Sequence, residues 1–371
     1  MRRSADGRGA TPHPYGDKTG VRTLVISDLH LGSVLGRDVL RRPEALDALA
    51  QTAASADRLV LLGDTIELLE GRPAQAAQIA APILRHLAAA LPAGAPVIVV
   101  PGNHDHDLIR PWLRRRLESG ARLQPATRVP LSASPLLGEL AGWLRAEGPR
   151  PVEVRYPGVW LGDRLWATHG HHLDRLLGAA IRGRLRPEDG VARARVEDFE
   201  RAPGADAGGV RDVLASVLPD AVGDGLSEAL GTARRTLLQG LPALAGIPGM
   251  REAASVAALL MEQGIHRRAA IPAMAQVARR LRVPADTVIF GHIHRRGPLA
   301  GDPGELWHPD PSGPVLMNSG SWVYDSILVG PDRGQDRGYR PGGAILIGED
   351  GIPACLDLLA KIPDDVLRGR I

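Results

Sequence analysis

Short apolar runs that each end in a tight cluster of aspartate, asparagine or histidine recur along this chain, and that recurrence constrains its fold more than any other feature. One is Thr287-Val288-Ile289-Phe290, followed by Gly291-His292-Ile293-His294. Read as a strand and a glycine turn, it lets His292 and His294 reach one point, because alternate residues of an extended segment face the same way. A lone His-x-His is weak evidence for a metal, since two surface histidines on a loop give the same pattern. The other clusters change the balance.

Residues 21–27 form a β-branched and apolar run ending in Asp28-Leu29-His30-Leu31-Gly32. By itself this piece fits an aspartate capping a turn beside a surface histidine better than it fits a ligand pair. Residues 58–62 close in Gly63-Asp64-Thr65-Ile66-Glu67, and residues 96–100 in Pro101-Gly102-Asn103-His104-Asp105. Helical patterns over 43–54, 74–91 and 107–117 follow these three runs. Strands alternating with helices indicate an α/β architecture, whose ligands gather at the carboxyl ends of the strands. Residues 152–168 read as a small antiparallel meander, with Tyr156-Pro157-Gly158 as a turn. Its last strand delivers His169-Gly170-His171-His172.

Composition sharpens the pattern. The chain has 371 residues, 44% of them hydrophobic and only 3% aromatic, so a sizeable core must be built from Ala, Leu, Val and Ile. Asn103 and Asn318 are its only asparagines, yet one of them lies inside a ligand-type cluster. Basic and acidic residues are nearly balanced, 45 against 42, which argues against a nucleic-acid groove. The single cysteine, Cys355, can form no internal disulfide and suits a reducing compartment.

Residues 1–20 read as a disordered tail without the apolar segment of a signal peptide. Residues 118–150 carry a short helix over 136–145 and are otherwise hard to assign. From 173 to 284 the aromatics all but vanish and Leu/Ala periodicity is broken by Gly and Pro. We read this as a helical insertion between core segments 21–172 and 285–363, acting as a cap or lid that contributes no metal ligand. Leu237, Leu238, Leu241, Leu244 and Ile247 would line an apolar groove there. Strands follow at 314–317, 344–347 and 354–359, with a charged tail from about 364. The expected setting is cytoplasmic, with room for peripheral contact with a membrane. The sequence gives no oligomeric state.

Asp28, His30, Asp64, Asn103, His169, His292 and His294 are too many ligands for one catalytic metal, which keeps an open position. They suit two ions if a carboxylate bridges. Mixed carboxylate, imidazole and amide donors without thiolate fit Mn, Fe, Zn or Co. Paired ions of this kind serve in-line displacement at phosphorus.

The motifs Asp28-x-His30, Gly63-Asp64, Gly102-Asn103-His104-Asp105, His169 and Gly291-His292-x-His294, in that order, resemble those of the calcineurin-like metallophosphoesterases. The Asn318-Ser319-Gly320-Ser321 turn is also similar to that family's. The resemblance implies an α/β double β-sandwich flanked by helices. It implies that Asp28, His30, Asp64 and His294 hold one ion, and that Asp64 bridges to a second held by Asn103, His169 and His292. It further implies that His104, oriented by Asp105, assists the leaving group while hydroxide between the ions attacks phosphorus.

Asp-Leu-His-Leu-Gly and Gly-Asp-x-x-Glu resemble the branch of UDP-2,3-diacylglucosamine pyrophosphatases. His104 stands where those enzymes carry Arg, and His171 where they carry Asp. The expected substrate is therefore a phosphorylated small molecule, a lipid-linked compound or a nucleotide diphosphate. His171 and Arg295 are its candidate contacts. The competing expectations are a nuclease or cyclic-nucleotide phosphodiesterase, and a non-catalytic scaffold.

Overall fold

The computed structural model describes residues 20–181, 193–201, 269–325, 329 and 337–369. The first half of the fold is built from β1 (Thr23–Ile26), β2 (Arg58–Leu62) and β3 (Val97–Val100), which pair in parallel and are buried throughout. Continuous Val/Ile/Leu runs are what a strand covered on both faces requires. Helices α1 (Pro43–Ala53) and α2 (Pro73–Ala90) make the crossovers, each starting on a proline in its first turn. Two further helices, α3 (Arg110–Glu118) and α4 (Pro135–Leu144), follow β3. Ser134 caps α4 by accepting from the Leu137 N–H at 3.2 Å.

β4 (Ala126–Val129) pairs antiparallel with β5 (Val152–Trp160). The latter strand joins the two halves. Val152–Val154 pair in parallel with β3, whereas Gly158–Trp160 pair antiparallel with β6 (Leu165–Thr168). Tyr156-Pro157-Gly158, expected as a turn, therefore lies inside one strand at the crossing between halves. From β6 the second half continues in parallel to β7 (Thr287–Phe290) and β8 (Val315–Asn318). The chain then returns to the first half through β9 (Gly343–Ile347) and β10 (Pro353–Asp357), antiparallel beside β1.

Strand alternation sorts the core into three layers. Val25, Val60, Leu62, Ile98 and Val100 pack against Ala167, Ile289 and Met317 between the two half-sheets. Leu24, Ile26, Leu59, Leu61, Val97 and Val99 point outward under α1, α2 and α4. Trp166, Val288, Phe290 and Leu316 point outward on the other side. That face is covered by residues of α5 (Asp174–Ile181), α6 (Val196–Arg201) and α7 (Ile271–Arg280). Each fully buried Val, Leu or Ile contributes about 1.5–3 kcal/mol. The fold is the expected α/β sandwich with helices outside.

Leu173, Leu176, Leu177, Phe199 and most of α7 belong to this outer core, so the boundaries expected at 173 and 284 fall within a packed layer. The apolar stripe at 237–247 lies outside the described residues. The expected charged tail instead forms a short helix, Asp364–Arg368, that buries Leu367. No helix among the described residues is long and apolar enough to cross a membrane.

Candidate metal centre

Each cluster sits where an apolar strand stops. The backbone there leaves the extended region: Asp28, His30, Asp64, His292 and His294 all have φ between 45° and 71°. Left-handed backbone is rare for residues other than glycine, with Asp and His among the better tolerated, and it concentrates at functional sites. The simple alternation expected for His292 and His294 is thereby corrected. With both histidines left-handed on either side of Ile293, their rings fall in two adjacent groups and not at one point. Asp28, His30 and His294 form one group, and Asp64, His169 and His292 another, with donor atoms in each within 4.8 Å of one another.

Two motif glycines exist because the loops stack closely. A Cβ at Gly102 would lie 2.2 Å from Asp64 Oδ1, and one at Gly291 would lie 2.5 Å from Asp28 Oδ2. Either substitution would displace a site carboxylate. The Asn318 turn braces the same region: its Nδ2 donates to Gly291 O at 2.6 Å, and Ser319 Oγ lies 2.7 Å from Ser27 Oγ. Ser27 in turn donates to Asp28.

Asp64 lies at the middle. Its Oδ2 is 3.1 Å from His169 Nε2 and 3.6 Å from His30 Nε2, and its Oδ1 accepts from the His104 N–H at 2.8 Å. His169 Nδ1 donates to Leu62 O at 3.0 Å, which leaves Nε2 aimed at Asp64 and at Asn103 Oδ1, 3.1 Å away. A neutral His169 would thus set three acceptors face to face. Its ring is fully buried. Burial works against the imidazolium, but Asp64 and Asp28 outweigh it and raise His169 to about 10. Burial likewise raises the two carboxyls, and the surrounding histidines, His169 foremost, bring both below the usual range, Asp64 well below. On the other side, His30 Nε2 faces His294 Nε2 at 3.3 Å while His30 Nδ1 donates to Glu67 at 2.8 Å. These convergent lone pairs need protons or cations between them, and the donor chemistry fits divalent ions.

His104 is held differently from the expectation. Asp105 accepts from the backbone N–H groups of Gly102 and Thr65, at 2.7 and 2.8 Å, and so shapes the loop. Burial and the neighbouring Asp64 push its carboxyl up to about 6. The residue that orients the His104 ring is Glu67, whose Oε2 accepts from His104 Nδ1 at 2.7 Å and also from His30. Glu67 is 1% exposed; burial would raise its pKa, but those two bonds bring it to about 2. Burial alone would lower His104, and Asp64 with Glu67 raise it to about 9. The sequence carried Glu67 inside the Gly63–Glu67 stretch, but not the ring it would meet.

Arg295, a candidate substrate contact, is held by a carboxylate. Its buried guanidinium pairs with Asp302, NH2 to Oδ1 at 2.5 Å, over the Trp307 ring. His171 turns from the centre towards Tyr156, its Nε2 3.2 Å from the hydroxyl. Asp174, which starts α5, is a further neighbour the sequence did not single out: its Oδ1 lies 3.0 Å from His292 Nε2.

A family model described as calcineurin-like phosphoesterase matches residues 21–206. The chain belongs to that family. It is accordingly a metal-dependent phosphoesterase. No curated protein matches it. A crystal structure of a cold-active protein-tyrosine phosphatase from a psychrophile, Shewanella sp., is 16% identical over 93% of this chain and 83% of that one, with a TM-score of 0.32. A second structure titled as cold-active protein tyrosine phosphatase is 15% identical over 93% and 81%, with a TM-score of 0.30. Likeness at that level adds nothing to the family assignment. Within a calcineurin-like phosphoesterase, the groups around Asp64 are the residues that could hold divalent ions.

Proposed function

We propose that this phosphoesterase uses two divalent ions to hydrolyse a phosphoester or pyrophosphate bond. Asp64 carries the reading, because one of its oxygens faces both His30 and His169. Asp28, His30, Asp64 and His294 would hold one ion; Asp64, Asn103, His169 and His292 would hold the other. When bound, such ions lower the pKa of water and neutralise charge developing on the phosphoryl oxygens. Glu67 fixes the His104 ring through Nδ1, leaving Nε2 to give a hydrogen bond or proton to the departing oxygen. His30 is fixed through the same carboxylate, so one buried Glu sets both rings.

Apolar residues on loops beside the centre support a substrate class. Exposed Val34, Leu35 and Leu69 lie on the loops that follow His30 and Glu67. Those loops are tied together where Ser33 Oγ and Arg37 donate to Glu70 at 2.7 and 2.6 Å. Such a rim supports a substrate with an apolar part, a lipid-linked diphosphate, and with it peripheral contact with a membrane. The balanced charge of the chain gives no support to a nucleic-acid substrate. The test is elemental analysis of purified protein together with a panel of phosphomonoesters, phosphodiesters, nucleotide diphosphates and acylated pyrophosphates. Two ions per chain and preference for the acylated compounds are expected. One ion, or preference for simple monoesters, would overturn the corresponding part of the proposal.

A further inference from the structure

A second histidine-rich cluster lies beside the centre, and neither the family motifs nor the proposed reaction uses it. It is assembled from four segments. Tyr156 comes from β5, His171 and His172 from the turn after β6, His106 from the loop after β3, and Glu200 from α6. His172 Nε2 lies 2.7 Å from Glu200 Oε1, and the Tyr156 hydroxyl donates to the same oxygen. His171 Nε2 meets that hydroxyl at 3.2 Å, and His106 Nε2 lies 3.5 Å from Glu200 Oε2. Donor atoms of His171, His172 and Glu200 are all within 4.8 Å of one another.

Burial makes the cluster unusual. Tyr156 is 0% exposed, and the side chains of His172 and Glu200 are each 6% exposed. Two ring nitrogens, His171 Nδ1 and His106 Nδ1, are buried without a partner. Phe199, next to Glu200, stacks on the His172 ring at 5.1 Å. With Phe199 covering one side, ring nitrogens of His171 and His172 converge on the buried Glu200 carboxylate, an arrangement that is costly unless protons or a cation lie between them.

We propose that this cluster is a further binding site for a single zinc-type divalent ion, held by His171, His172 and Glu200 with the Tyr156 hydroxyl in the fourth position. Two imidazoles and one carboxylate form a recurrent zinc set, and imidazole suits zinc better than it suits magnesium or calcium. His106 orients the carboxylate through its second oxygen. Each neutral imidazole would bind through its Nε2 lone pair and carry its one ring proton on Nδ1, so no proton need leave the rings. Glu200 belongs to the segment expected to contribute no ligand, so the ion would pin α6 to the end of β6.

The experiment strips the full-length protein with a chelator, reloads it with zinc and counts zinc per chain. Glu200→Gln keeps the shape and the acceptor oxygen but is a poor ligand, and should carry one zinc fewer than the wild type. Asp64→Ala should keep the zinc of the second cluster, and the Asp64→Ala/Glu200→Gln double variant should lose it. Failure of Asp64→Ala to lose ions would overturn the proposed centre and leave this site standing. A folded Glu200→Gln with the wild-type zinc count would overturn this site alone. If Glu200→Gln does not fold, anomalous diffraction of the zinc-loaded wild type decides. A peak about 2.0–2.2 Å from His172 Nε2 and the Glu200 carboxylate supports the site, and no peak there overturns it.

Discussion

The two histidine clusters lie next to each other, with the His169 and His171 ring centroids 5.7 Å apart, yet they are built on opposite principles. The Asp64 centre sets two carboxylates, Asp28 and Asp64, among its histidines, sits on strained backbone at strand ends, and opens to solvent at His104 and His294, whose side chains are 28% and 23% exposed. The Glu200 cluster is imidazole-rich, lies on helical turns and one strand, and is closed by Phe199. An open site with rigid, pre-placed carboxylates suits turnover, and a closed site suits fastening.

The largest test of that difference is Asp64→Ala. It should cost more than the roughly 10–100-fold typical of a residue behind a ligand, because both ligand groups lose a member. Rate and ion content measured together check this, and near-normal turnover would remove the centre from the comparison. Next comes His104→Ala, expected to retain its ions and lose about 10²–10⁴-fold in rate. The loss should shrink for nitrophenyl esters, whose leaving group needs little protonation. An equal loss across leaving groups would count against a role at the departing oxygen.

Glu67→Gln should cost about 10–100-fold. Its sharper signature is the pH profile. His104 is raised to about 9, so its donating form is present below that pH and lost as pH rises through it. Glu67 is, with Asp64, one of the two groups that raise His104 against the effect of burial. Removing its charge should move the alkaline limb down by about one unit. A limb that stays put would mean that it reports another group. The smallest effect belongs to the closed cluster. Tyr156→Phe keeps the buried ring but deletes the donor to Glu200, and should lower stability by about 1 kcal/mol in denaturant unfolding. A rate loss as large as that of Glu67→Gln would erase the distinction between the clusters.

Residue types and their order along the chain made much of this legible in advance. Fully apolar runs such as Val97–Val100 declare buried strands, and each ends in ligand chemistry, so the α/β class and the residues that meet at Asp64 could be read directly. Glycines before Asp64, Asn103 and His292 marked the close approaches without saying what approached. Other features depended on distance along the chain. Glu67 was visible, but its bond to His104 spans 37 residues and depends on how two loops stack. Asp105, adjacent to His104 in sequence, was the natural partner by proximity, and the turn points it at the backbone instead. Tyr156-Pro157-Gly158 carries the composition of a turn, but pairing with β4 and β6 keeps it extended. Glu200 lies 28 residues from His172, and only the docking of α6 brings them together. Local chemistry is written in residue type and spacing; which distant side chain completes it is decided when the layers pack.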